Sequence, residues 1–225
     1  ISDTFRSGAA SLILVGGLVI ALTLGATASF SGAISGTHGL FVASGVSRRA
    51  LALGVLASRL VSLAAVLSIW LIALQIGSVA IGRGGDSPLA VHIAAAGETH
   101  ALVLLMAAAT STVMGPTIAA FVGLVVHVTA TAVVNLEAAA DLGLLPTGAR
   151  LIHIAYNTLP RAVSSPMIVG LQNRDAGGPA APQFEINQFP VALPASGFTT
   201  VLWTLGWCAL FAWFFAIGVR RRTLI

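Results

Sequence analysis

Five apolar runs, each about as long as a lipid bilayer is thick, restrict this chain to folds whose main solvent is lipid. They lie at about residues 9–34, 58–82, 99–114, 117–137 and 197–219. Hydrophobic residues make up 57% of the 225 and charged residues 8%, so residues 1–225 read as a single, all-α integral membrane domain. The third run is short unless it starts near Ile93, which would pull Glu98 into the membrane edge. Gly115-Pro116 then predicts a hairpin before the fourth.

Charge gives the runs a direction. Threaded alternately across a bilayer, they put Arg48, Arg49, Arg59, Arg220, Arg221 and Arg222 on one side with no acid. Asp3, Asp86, Glu98, Glu137, Asp141, Asp175 and Glu185 fall on the other, with Arg6 and Arg83 in short segments and Arg150, Arg161 and Arg174 in a long one. The positive-inside rule counts short loops, so the all-arginine side is expected to be cytoplasmic, with the basic tail 220–225 inside a cell membrane. Ile1 would then lie outside, which calls for an upstream helix. The alternative, a signal peptide over residues 1–28 ending at Ala26-Thr27-Ala28, reverses the sides.

Composition also excludes chemistry. All eleven basic residues are arginine, so a phosphate-binding Gly-Lys-Ser/Thr loop and any lysine-based mechanism are absent from this sequence, and nucleotide hydrolysis coupled to it must occur on another polypeptide. The arginines cluster at the ends of apolar runs, which points to membrane orientation and not to nucleic acid. Cys208 lies within an apolar run and reads as a small buried residue. Gly17, Ala21, Gly25, Ser29 and Ala33 recur every four residues, a stripe along which another helix could pack closely in lipid, although a chain with 24 glycines throws up such stripes by chance. No internal repeat is evident.

Residues 36–53 are too polar to span but carry Leu40, Phe41, Val46, Leu51 and Leu53, which suits a short interfacial helix presenting Arg48 and Arg49. Here the sequence resembles the membrane subunit of type 2 ABC exporters. In that family the loop between the second and third spans reads approximately Gly-Thr, a few apolar residues, then Ser-Pro-Val-Ser-Arg, with a glycine before the next helix. Gly36-Thr37, Ser44, Val46-Ser47-Arg48 and Gly54 match in order and spacing. The family's acidic residues near Gly-Thr are missing, and Gly45 stands where proline is usual. Leu151 to Pro160 is similar to the family's outer re-entrant segment, and Arg220-Arg221-Arg222 to its basic tail.

The resemblance implies a six-helix half transporter that pairs with a second permease, identical or related, on two ABC ATPase subunits that hold ATP and magnesium; no cofactor is expected on this chain. Gly36, Thr37, Leu40, Phe41, Val46, Ser47, Arg48 and Arg49 would form the coupling turn. Guanidinium groups could pair there with carboxylates on the ATPase. Arg48 and Arg49 could equally fix topology and bind anionic lipid headgroups.

Residues 138–196 form the long outer segment. Leu144 to Leu171 is expected to dip into the outer leaflet as two short helices broken around Thr158-Leu159-Pro160, and Asn173 to Pro194 to be a loop capping an exit. Gln75, His127 and Glu137 are the candidate pathway-lining residues, His127 because an ionisable group inside a span is costly and usually faces protein or a cavity. Glu137 and Asp141, four apart, could form a cation site with His127 or His153, though a solvated helix end is the commoner meaning of such a pair. Trp203 and Trp207 stack one turn apart and could meet a flat solute or anchor the last span.

The expected function is export of a hydrophobic or amphipathic solute, drug-like or lipid-like, with no covalent chemistry on this chain. An ion-coupled secondary transporter using Glu98, His127 or Glu137 is the alternative. A serine protease built on Gly32-Ala33-Ile34-Ser35-Gly36 is a remote one, since only His38 lies near Ser35.

Overall fold

The computed structural model describes residues 8–9, 11–29, 45–80, 87–141, 143, 148–162, 185–186, 189–190 and 197–222. A π-helical turn, Leu12–Gly16, leads into α1, Gly17–Ala26. Then follow α2, Arg48–Ala80, α3, Ser87–Ser111, α4, Pro116–Asp141, α5, Ala149–Thr158, and α6, Gly197–Arg222. The described residues include one antiparallel pair of two-residue strands, β1 Glu185–Ile186 with β2 Phe189–Pro190. The framework is helical, and four helices, α2, α3, α4 and α6, are long and apolar enough to cross a membrane. The first expected span is represented by the shorter apolar stretch Leu12–Ala26. Residues 30–44 lie outside the described residues, and with them Gly36, Thr37, Leu40, Phe41, Ser35 and His38.

The boundary expected for the third span is corrected. A start at residue 99 leaves Glu98 outside the run, yet α3 begins at Ser87 and its apolar stretch runs from Ala90 to Ser111, nearer the alternative start at Ile93. The reason is position. α3 is the central helix, packed against α1, α2, α4 and α6, and 67% of its apolar stretch is buried, against 11–22% in the other three. Polar groups that lipid would reject are shielded there by protein.

Small residues set how closely the helices approach, because lipid offers no hydrophobic drive between them and contact area must be gained by backbone proximity. Gly17, Ala21 and Gly25 of the stripe, with Ser29 just past α1, face α3 and its end, while Ala33 lies outside the described residues. A Cβ at Gly17 would fall onto the His100 ring, one at Gly25 would collide with the Leu104 carbonyl, Ala21 is fully buried, and the Ser29 hydroxyl donates to the Ser111 carbonyl. Gly123 of α4 receives Leu22 and Ala107 at distances a Cβ would make too short, 2.8 and 3.2 Å. Gly218 of α6 presses on Thr112.

Local chemistry fixes the helix ends. The Ala50 amide donates to the Ser47 hydroxyl over 3.2 Å, an N-cap for α2, and Gly45 just before it adopts φ +86°. Proline, with φ fixed near −65°, cannot take that conformation, which glycine adopts freely. α2 then runs unbroken for 33 residues, so Arg48, Arg49, Leu51 and Leu53 form its first two turns, while residues 36–44 of the expected interfacial segment lie outside the described residues. At the α3–α4 hairpin the Val113 and Met114 amides close back on the Thr110 carbonyl, and Pro116 opens α4, where its missing N–H costs nothing. α5 stops at Leu159, extended at φ −94° and ψ 159° ahead of Pro160.

Candidate functional site

The hairpin brings together two residues that the sequence keeps far apart. His100 precedes the end of α3, and His127 follows the start of α4, by the same number of residues, so both sit about 16 Å from the turn, near the middle of a core about 30 Å thick. Their ring centroids are 6.5 Å apart, tilted by 31°. His100 is 0% exposed, and neither of its ring nitrogens has a hydrogen-bond partner; His127 Nδ1 is likewise buried without one. Glu98, expected outside or at the membrane edge, lies two residues from His100 inside α3, with Oε1 buried and unpaired. An unmade hydrogen bond on a buried polar group costs about 1–3 kcal/mol, so this layer is an expensive thing for a bundle to keep.

A second polar layer lies towards the far end of α4. Glu137 is 7% exposed, and its Oε1 meets His153 Nδ1 at 2.7 Å. His127 is ten residues away along the same helix, about 15 Å, so Glu137 pairs with His153 and not with His127. The side chain of Asp141 lies outside the described residues. No group of three or more metal-ligating side chains occurs among the described residues.

Between these layers the chain returns into the bundle. After α5, Leu159 to Ala162 run back along α4 until the Ala162 amide donates to the Ala130 carbonyl over 3.1 Å, less than one turn from the level of His127. Arg161, 6% exposed, sits at the tip of this return. Its Nε donates to the Tyr156 carbonyl at 2.6 Å and its Nη2 to Asn157 Oδ1 at 3.2 Å, while the guanidinium lies 3.7 Å over the Tyr156 ring and 5.4 Å from that of Trp203. Among the described residues no carboxylate pairs with it. α6 locks the return in place: Trp203 Nε1 donates to the Leu159 carbonyl at 2.9 Å, the Thr204 hydroxyl to that of Arg161 at 2.9 Å, and Tyr156 and Thr200 hydroxyls meet at 3.3 Å. Trp203 is therefore tied to protein through its indole N–H.

Of the residues singled out in the sequence, His127 and Glu137 fall in these two layers. Gln75 is half-buried near the end of α2. Val46 and Ser47 are exposed before α2, with Arg48 and Arg49 in its first turn. His100 and Arg161 were not singled out. For His100 a signal existed, since a hairpin at Gly115-Pro116 pairs positions equidistant from the turn. For Arg161 none did, because carbonyls and ring faces recognise it. No protein-family model, curated protein or solved structure matches this chain.

Proposed function

We propose that this chain is the permease subunit of an ATP-driven type 2 ABC exporter in the cell membrane, moving a hydrophobic or amphipathic solute outward. One observation supports this reading beyond the sequence resemblance: α5 packs on α4 and the Ala162 amide donates to the Ala130 carbonyl, a contact that an outer re-entrant segment would make. Five crossings of a six-helix unit, a cytoplasmic basic end and a cap over the exit belong to this reading. Arg48 and Arg49, at the start of α2, then face an ATPase partner, and Ser47 holds the turn that presents them. The test is purification of the tagged chain from its native membrane in mild detergent, followed by ATPase assay and identification of a Gly-Lys-Ser/Thr protein. Arg48→Glu with Arg49→Glu should release that protein while the permease stays in the membrane. Unchanged co-purification and transport, or no ATPase at all, refutes the proposal.

The His100–His127 layer with Glu98 beside it favours a second reading, ion-coupled transport, since unpaired ionisable groups at mid-membrane are the usual parts of a proton relay. Under that reading solute uptake into vesicles follows a proton or sodium gradient without ATP, and His100→Gln with His127→Gln abolishes it. Under the exporter reading the gradient alone drives nothing.

A further inference from the structure

At the hairpin end of the bundle, opposite the return segment, α3, α4 and α6 leave a cavity of about 700 Å³, within the range of about 300–1,000 Å³ usual for ligand sites. Its α6 wall is a single stripe. Phe211, Phe214, Gly218 and Arg221 recur at intervals of three and four residues and so share one helical face, apolar until its last member. Facing it, α3 adds Met106 and the hairpin adds Val113. The wall hydroxyls turn away from a ligand: Thr110 donates to the Met106 carbonyl and Thr112 to that of Ala109, each on its own helix. Arg221 is thus the one charge on the lining, and it is exposed. No described carboxylate is near. Glu98 lies about 20 Å along α3 from Ser111, and Glu137 about 30 Å along α4 from Pro116.

The dimensions select the occupant. From Phe211 to Arg221 the stripe rises about 15 Å, half of a hydrocarbon core about 30 Å thick and so the depth of one leaflet. An apolar trough one leaflet deep, with a guanidinium at the headgroup level, fits an acyl chain that ends in a phosphate. We propose that this cavity binds an anionic glycerophospholipid, its phosphate on Arg221 and one chain between α3 and α6. The inference holds whether the protein is driven by ATP or by ions.

Native mass spectrometry of the purified full chain, titrated with phosphatidylglycerol and with phosphatidylcholine of the same acyl chains, tests it. Phosphatidylglycerol should be retained in preference. Arg221→Gln should reduce that preference about fivefold, the worth of one arginine at an anionic surface. Ala109→Phe, which fills the trough, should reduce binding of both lipids, and Arg150→Gln, the same change of charge on α5, should leave the preference intact. Equal retention of the two lipids by the unmodified chain overturns the proposal, as does a preference that survives Arg221→Gln. So does oleate displacing phosphatidylglycerol at equimolar concentration, since a carboxylate would then be the ligand, or a dimer of this chain that excludes lipid from the cavity.

Discussion

Gly17→Ala tests whether the α1–α3 contact is built around the His100 ring. A Cβ at position 17 would overlap His100 Cε1 and lie 2.6 Å from Nδ1 and 3.4 Å from Nε2. The ring has nowhere to retreat, being fully buried with the His127 ring 6.5 Å away, so α1 must lift off α3. That lift is opposed a few turns on, where Gly25 sits on the Leu104 carbonyl and Ser29 is hydrogen-bonded to Ser111. Overpacking of this kind costs about 1–3 kcal/mol, while alanine in place of glycine favours the helix by about 1 kcal/mol. The net loss is about 0–2 kcal/mol, a fall in Tm of up to about 8 °C at 2–4 °C per kcal/mol. A single variant leaves that range too wide, so the argument rests on a cycle. In a His100→Ala background the ring is gone, and Gly17→Ala should become neutral or stabilising by about 1 kcal/mol, a coupling of about 1–3 kcal/mol. Thermal denaturation of the four proteins in one detergent, followed by tryptophan fluorescence, measures it. Effects that add within about 0.5 kcal/mol refute the contact.

Arg161→Gln removes a cation held by two hydrogen bonds, one of 2.6 Å, each worth about 1.5–3 kcal/mol for a charged donor, and limited proteolysis should then cut within residues 149–162; resistance equal to the wild type counts against the return segment being pinned by Arg161. Trp203→Phe keeps a ring beside Arg161 but loses the donor to Leu159, so thermal denaturation should show a smaller cost of about 0.5–1.5 kcal/mol. Ser47→Ala should speed hydrogen exchange in the first turn of α2 and cost about 0.5–2 kcal/mol, while Ser47→Gly costs a few tenths. Gly45→Pro cannot hold φ +86°, so it should disturb the same turn; unchanged exchange there would remove the account of glycine at this position.

What could be read before folding was whatever depends on spacing along one helix. The stripe Gly17, Ala21, Gly25 and Ser29 lies on α3, the turn at Gly115-Pro116 falls between α3 and α4, and α5 breaks at Leu159 before Pro160. What escaped depends on which helix is central. Hydropathy scores each run as though lipid surrounded it, so Glu98 looked like a boundary and the most buried helix was cut short at its start. The same bias hid His100, which a start at residue 99 leaves at the membrane surface. Glu137 and His153 are a different case: both were noticed, but their pairing needs α5 to fold back on α4 across residues with no periodic signal. Arg48 shows the limit from the other direction, because a polar turn and the first turn of a long helix share one residue pattern, and the Ser47 cap decides between them.

The two polar layers and the return segment form one mechanical problem. Among the described residues α3 fills the interior of the bundle at the level of His100, so under either transport reading a solute crossing at that depth would skirt α3 along the less buried faces of α2, α4 or α6. The return segment ends within a turn of that level on α4 and is held from the other side by α6 through Trp203 and Thr204. Separating α4 from α6 at this end therefore strains the return, and withdrawing the return uncovers the side of α4 just above His127. Under the exporter reading this couples opening of the outer end to the splay of two helices whose opposite ends frame the lipid-sized cavity beside Arg221. A lipid chain seated between α3 and α6 holds α6 off the hairpin end, and a rigid helix levered at one end closes at the other. Occupancy of the cavity and closure of the return should on that account rise together.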